Sequence, residues 1–443
     1  MRFVPGRLFA HPPEAGRFGV TLLSLALGLS ACREDGEGRA TVILTSLDGS
    51  VLDAEAAGPP PDAGSCADST GLEDDDRDGF SRADGDCDDC DPGRGPFAID
   101  VPNNGIDEDC SGMDAVAVKA SCDADLDSAK LELDPDIASV VRALGFCGER
   151  VSEASHKAGL IGARWLLLSG SSTLHDPRQV WLPPQFGTIT PHDGQALVVL
   201  STGVARDRNA VGYTRGCDVF GSKLDQSGSW SRGQPPPKGF PKDSTQCQNM
   251  SVSMGALAYD DIGLELTLRA PGNAAGISFD SLFFTYEYPD FVCSRFNDFF
   301  VVLMDPVPAG LSAAQKKDGD VAVDDDGNPI GVNTGLLSVC TPTTRSARPI
   351  ACGEGSTLLT DTGYGEGESS CAPTPQGAAP IGGASTGWLH TEVPVVPGGV
   401  FKLRFALWDS GDPLLDSSVA LDALRFIARP PVIGTKPTSL TSD

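Results

Sequence analysis

The 443-residue chain predicts a mainly β protein: a jelly-roll-like β-sandwich with one amphipathic helix, preceded by a small Asp-rich module. Three observations point there. Apolar and polar residues alternate with period two through the C-terminal half; glycine (52) and proline (34) are abundant while aromatics make up 7%; and residues 71–114 hold fifteen acidic residues against three arginines. Period-two alternation marks strands with one buried face. Frequent Gly and Pro suit turn-rich β architecture. A stretch as anionic as 71–114 is too small to carry a core and collapses only if its charge is cancelled.

The N-terminus sets the compartment. Arg2, Arg7 and Arg17 precede an apolar run at 18–29 that is too short to span a bilayer. The run ends in Leu29-Ser30-Ala31-Cys32, which resembles a bacterial lipobox. That resemblance implies cleavage of residues 1–31, acylation of Cys32 and anchoring by lipid, and Arg33 after the cysteine favours an outer-membrane or cell-surface location. Residues 32–70, with Pro59-Pro60-Pro61, read as a stiff linker. With 61 acidic against 33 basic residues the chain lacks the footprint of a nucleic-acid or anionic-lipid binder. Thirteen cysteines less Cys32 leave an even number in an exported chain, which reads as a disulfide set of undetermined connectivity.

The module, residues 71–115, follows. Asp74, Asp76 and Asp78 stand at alternate positions before Gly79, as in the first half of an EF-hand-type loop, and Phe80 is placed to offer its backbone carbonyl. Gly85 occupies the position where an EF-hand needs glutamate and Asp86 comes one later, so the loop is not an EF-hand proper. A second cluster holds Asp88, Asp89 and Asp91, and a third Asp107, Asp109, Ser111 and Asp114. Hard oxygen donors in flexible loops favour calcium. The plain alternative is a solvated acidic linker. Cys87-x2-Cys90 is half a zinc site without a second half.

With D-x-D-x-D-G-F at 74–80, G-D-C-D-D at 85–89, D-P at 91–92 and V-P-N-N-G-I-D-E-D-C-S-G-x-D at 101–114, the segment closely resembles the MopE-type metal-binding motif of secreted bacterial proteins, akin to thrombospondin type 3 repeats. The resemblance implies a Cys87–Cys110 disulfide, with Cys90 an extra thiol. Copper, which the family name suggests, is disfavoured by a stretch with no His and only Met113 as a soft ligand.

The sandwich is expected over 116–430, with a disordered tail at 431–443. Asp134-Pro135, then Ile137, Val140, Val141 and Leu144, then Gly145, predict an amphipathic helix with an N-cap and a terminating glycine. Leu264, Leu266 and Leu268 alternate with Glu265, Thr267 and Arg269; Phe401, Leu403, Phe405 and Leu407 alternate with Lys402, Arg404, Ala406 and Trp408. Further strands are expected at 195–201, 277–285, 299–304 and 418–427, and a hairpin tip at 324–328. The segments at 197–203, 264–304 and 406–426, with E-Y-P-x-F-V and F-N-D-x-F at their centre, resemble the choice-of-anchor L domain, an exported bacterial β-domain of uncharacterised function.

Within that domain Asp409, Asp412, Asp416 and Asp422 either hold another calcium or cap a turn, and Glu287, Asn297 and Asp298 either bind a ligand or stabilise a connection. G-x-S-x-G at 383–387 lacks the strand-then-helix context of a nucleophile elbow. His156, His175, His192 and His390 show no metal-ligand spacing. The expectation is therefore a non-catalytic, lipid-anchored surface protein: a calcium-rigidified spacer carrying a β-sandwich that binds a surface polysaccharide or protein. A secreted polysaccharide hydrolase and a structural envelope component are the alternatives.

Overall fold

In the computed structural model the described residues are 71–116, 122–124, 126, 135–147, 150–168, 176–214, 233–247, 256–289, 291–341, 352–365 and 383–438. The leader, Cys32, the linker, His175 and Asp134 lie outside them. Among the described residues no helix is long and apolar enough to cross a membrane.

Thirteen strands occur among these residues: β1 (Gly159–Trp165), β2 (Val180–Trp181), β3 (Val198–Ser201), β4 (Ala258–Arg269), β5 (Gly276–Thr285), β6 (Phe299–Asp305), β7 (Ile330–Gly331), β8 (Val339–Cys340), β9 (Ala384–Ser385), β10 (Leu389–Pro394), β11 (Val400–Ser410), β12 (Ser417–Ile427) and β13 (Gly434–Pro437). A five-stranded sheet runs β1-β4-β11-β6-β7, and an eight-stranded one runs β13-β10-β5-β12-β3-β2 with β9 on β5 and β8 on β9. The two sheets pack face to face. Leu264, Leu266, Leu268, Leu403 and Phe405 from one meet Ile277, Phe279, Val419 and Leu421 from the other, and Phe279 and Phe405 touch edge to face at 5.3 Å.

The expected alternation holds through Phe405 and then fails for a physical reason. Lys402 is exposed, but Trp408 is fully buried, because Phe240 packs against it at 5.6 Å and covers that end of the outer face of the five-stranded sheet. A third cluster around Phe284, Leu282 and Trp388 covers part of the outer face of the other sheet. Strand β5 is consequently buried along its whole length.

The expected helix is α1 (Ile137–Ala143), with Val140, Val141 and Leu144 in the central core. Its cap is Asp136, whose side chain accepts the Ser139 amide, two residues later than Asp134-Pro135 suggested. Gly145 ends it at φ +113°, where a Cβ would come within 3.0 Å of the Leu424 carbonyl. A second short helix, α2 (Ala313–Asp318), starts with a reciprocal capping box between Ser312 and Gln315, a signal present in the sequence. The 324–328 tip forms as expected, with the Asp324 amide donating to the Asn328 carbonyl at 3.0 Å.

The tail expectation is corrected. Residues 434–437 form edge strand β13 on β10, with Thr435 buried and its hydroxyl 2.9 Å from that of Thr391. Four residues ending in proline carry too little pattern to read, whereas an open edge on β10 supplies the backbone partners. Disulfides join Cys87–Cys110, Cys122–Cys147, Cys247–Cys293 and Cys340–Cys352. The first is the pair the module resemblance implied.

Removing the ring at the sheet-to-sheet contact opens a cavity that rigid strands cannot close. Phe405→Ala is expected to cost about 3–5 kcal/mol in urea unfolding, while Leu72→Ala, at a side chain 78% exposed, shifts stability by less than about 0.5 kcal/mol.

Candidate metal centre

The Asp-x-Asp-x-Asp-Gly loop folds on its own carboxylates. Asp74 accepts the amides of Arg77 (2.7 Å) and Gly79 (3.0 Å), Asp76 accepts Asp78 N (3.0 Å), and Asp78 accepts Phe80 N (2.8 Å). Each of these bonds ties the backbone to a side chain a few residues back, so the loop winds about its acids. Two acids join from farther along the chain. Asp86 holds Asp88 N at 2.9 Å and Asp89 holds Asp75 N at 3.1 Å, each through one oxygen. The other oxygens of Asp76, Asp86 and Asp89 are shut off from solvent and have no hydrogen-bond partner.

These side chains form two triads, Asp74–Asp76–Asp89 and Asp76–Asp78–Asp86, each offering oxygens within 4.8 Å of one another. Gly95 walls the second: a Cβ there would lie 2.4 Å from Asp78 Oδ2. Burial, reinforced by the charges of Asp78, Asp86 and Asp74, pushes the Asp76 carboxyl up to about 7. Burial and the neighbouring carboxylates likewise raise Asp78 to about 6 and raise Asp86. A hard cation meets the need that these oxygens leave open, and an all-oxygen donor set fits calcium.

The third cluster closes similarly. Asp107 accepts Ser111 N (3.0 Å) and Gly112 N (2.7 Å), Asp109 also accepts Ser111 N (3.0 Å), and both gather with Asp100 within 4.8 Å. Asp100 has no motif spacing and was not among the sequence candidates. Beside them the Ser111 hydroxyl donates to the Met113 carbonyl, and Asp114 accepts Gly105 N at 2.7 Å through one oxygen while its other oxygen is buried without a hydrogen-bond partner. The second sequence cluster does not act as a unit. Asp89 turns inward, Asp88 pairs with Arg94 at 2.8 Å, and Asp91 accepts Gly93 N in an exposed turn. Phe80 packs its ring on Phe97 at 5.8 Å. The sulfurs beside Asp86 are spent in the Cys87–Cys110 bond, whose Cα atoms are 5.6 Å apart.

The sandwich acids divide. Asp298 accepts Ser410 N (3.0 Å) and the Ser417 hydroxyl (2.6 Å), Glu287 accepts Asp298 N (3.3 Å), and Asn297 accepts Asn333 N (3.0 Å), so this trio ties connections together. Asp409 is fully buried, and burial plus the charges of Asp298, Asp416 and Asp260 push its carboxyl well up. Asp412 accepts Leu414 N at the turn, and Asp422 lies elsewhere, holding the amides of His192 and Asp193.

One constellation had no sequence signal. On the outer face of the eight-stranded sheet, Asp280 has His192 Nδ1 at 2.7 Å and His390 Nδ1 at 2.6 Å, while His390 Nε2 lies 3.1 Å from Glu392, itself bound by Arg429. Asp280's hydrogen bond raises the His390 pKa despite burial, and Arg429 holds Glu392 down at about 2. The residues are 88 and 110 positions apart in sequence. Ser385 of the G-x-S-x-G segment is buried within β9, with β10 rather than a helix following.

No protein-family model matches the chain, and neither a curated protein nor a solved structure matches it.

Asp320 sets a clear pH dependence. It is fully buried, one oxygen accepting Val302 N and Ala322 N at 3.1 Å while the other has no partner, and burial raises it to about 8. Asp260 and Asp298 are raised to about 7, in each case chiefly by burial. A raised carboxyl pKa means the folded state holds protons that the unfolded chain releases near pH 4. Its contribution is therefore full below about pH 4 and lost as pH rises through 7 to 8. In chelator, the melting temperature is expected to fall from pH 6 to 8.5, and Asp320→Asn to flatten that slope.

Proposed function

We propose that this chain is a lipid-anchored protein of the outer membrane or cell surface, in which the Asp-rich module binds calcium and the β-sandwich presents a non-catalytic binding face to a surface polysaccharide or protein. The observation that carries the calcium reading is the set of buried, unpartnered oxygens on Asp76, Asp86 and Asp89. The first ion is held by Asp74, Asp76, Asp78, Asp86 and Asp89, and a further one by Asp100, Asp107 and Asp109. The likeness to MopE-type and choice-of-anchor L segments supports the same reading, and the lipobox-like 29–32 supports the anchor. Calcium acts by linkage: it binds the folded loops and not the mutually repelling unfolded chain, so it stabilises the fold by mass action.

Calorimetric titration of chelator-stripped protein is expected to show calcium binding with Kd of about 10⁻⁴–10⁻³ M and a raised melting temperature. Asp89→Asn should weaken binding at least about 10-fold, while Asp91→Asn, in its exposed turn, leaves it nearly unchanged. Absence of both heat and thermal shift in the parent protein would return the module to a solvated acidic linker.

A further inference from the structure

The same short segments that carry the carboxylates also carry the module's contacts with the sandwich. Gly79 is the clearest case. Its amide holds Asp74 at 3.0 Å, and its left-handed backbone (φ +103°) lies so close to His156 that a Cβ would fall 2.5 Å from the imidazole ring. Phe80, the next residue, packs on Phe97, and Phe97 carries the Lys157 ammonium 5.2 Å from its ring centroid. At the other end Asn273, in the turn between β4 and β5, clamps the main chain of Ile99. Its Oδ1 accepts Ile99 N at 2.7 Å and its Nδ2 donates to Ile99 O at 2.8 Å. Asp100 of the third carboxylate group follows at once. The Pro92 carbonyl closes the contact against Gly272, where a Cβ would approach it to 3.0 Å.

We infer that cation binding in the Asp-rich module is coupled to its docking on the β4–β5 turn and the 156–158 segment, so that the module is a cation-gated brace on the sandwich rather than a free spacer. The inference rests on the calcium reading above. A loop that closes around a cation fixes where Gly79 and Ile99 present their backbones. Without the cation, unscreened repulsion among Asp74, Asp76, Asp78, Asp86 and Asp89 opens the loop and carries Gly79 off His156. Coupling of this kind is reciprocal: a cation that favours docking is bound more tightly because docking occurs. The sandwich segments involved contribute no carboxylate to the cluster, so any response there reports docking rather than ligation.

The test is hydrogen exchange read by mass spectrometry on the full chain, in chelator and in excess calcium, for the parent and for Asn273→Ala, with calcium affinity measured on both. In the parent, calcium is expected to slow exchange in the module and also at 154–160 and 271–276. Asn273→Ala should keep the module's response, lose most of that at 154–160 and 271–276, and lower calcium affinity about 5-fold or more, the lower end of typical coupling. Slowed exchange confined to the module, with equal affinities in the two proteins, overturns the coupling and leaves calcium binding standing. No calcium response in the module of either protein overturns both.

Discussion

A carboxylate oxygen removed from water must acquire a proton, a donor or a cation, and most of this structure is arranged around that requirement. The sandwich and the module meet it differently. Inside the sandwich, Asp298 is supplied with an amide and a hydroxyl and Asp320 with two amides, while burial and neighbouring carboxylates push Asp409 well up. In the module the amides are used once each, on one oxygen of Asp76, Asp78, Asp86 and Asp89, and the remaining oxygens converge. That convergence of oxygens is the donor arrangement on which the calcium proposal rests.

The sandwich gives those loops something fixed to lean on. Its central contact is a layer of Leu and Phe between two antiparallel sheets, and outer clusters around Trp408 and Phe284 each cover part of one sheet from behind. At the other end of the strands the β4–β5 turn carries Asn273, which grips the module through both hydrogen bonds to Ile99. Four disulfides among the described residues add local staples, one inside the module and three along loops of the sandwich.

How far the sequence was legible depended on the range of the interaction. The strands at 264–268 and 401–407 were readable because alternation is a property of consecutive residues, those at 277–285 and 299–304 because apolar runs between turn-rich segments are equally local, and α1 because its stripe and terminating glycine lie within a dozen positions. Strand β13 was not, since a four-residue edge exists only because β10 has unpaired backbone beside it. The burial of Trp408 was not either, because the residue that covers it, Phe240, comes from a distant segment with no pattern of its own. In the module, spacing identified Asp74, Asp76 and Asp78, but grouping Asp88 with Asp89 and Asp91 ignored that neighbours in an irregular loop point in different directions.

By itself, then, the sequence determined the chemistry: an acid-rich, oxygen-donor module, cysteines in bridging number and a turn-rich β domain, all set by local composition and period. Only the tertiary structure decided which acids share a site, that Asp86, Asp89 and Asp100 turn inward while Asp88 takes Arg94, that His192 and His390 meet on Asp280, and that the module rests on Asn273 and His156. The physical reason is that residue type and spacing fix what a side chain is able to bind. Direction and company are fixed by backbone turns and by contacts between segments tens to hundreds of residues apart.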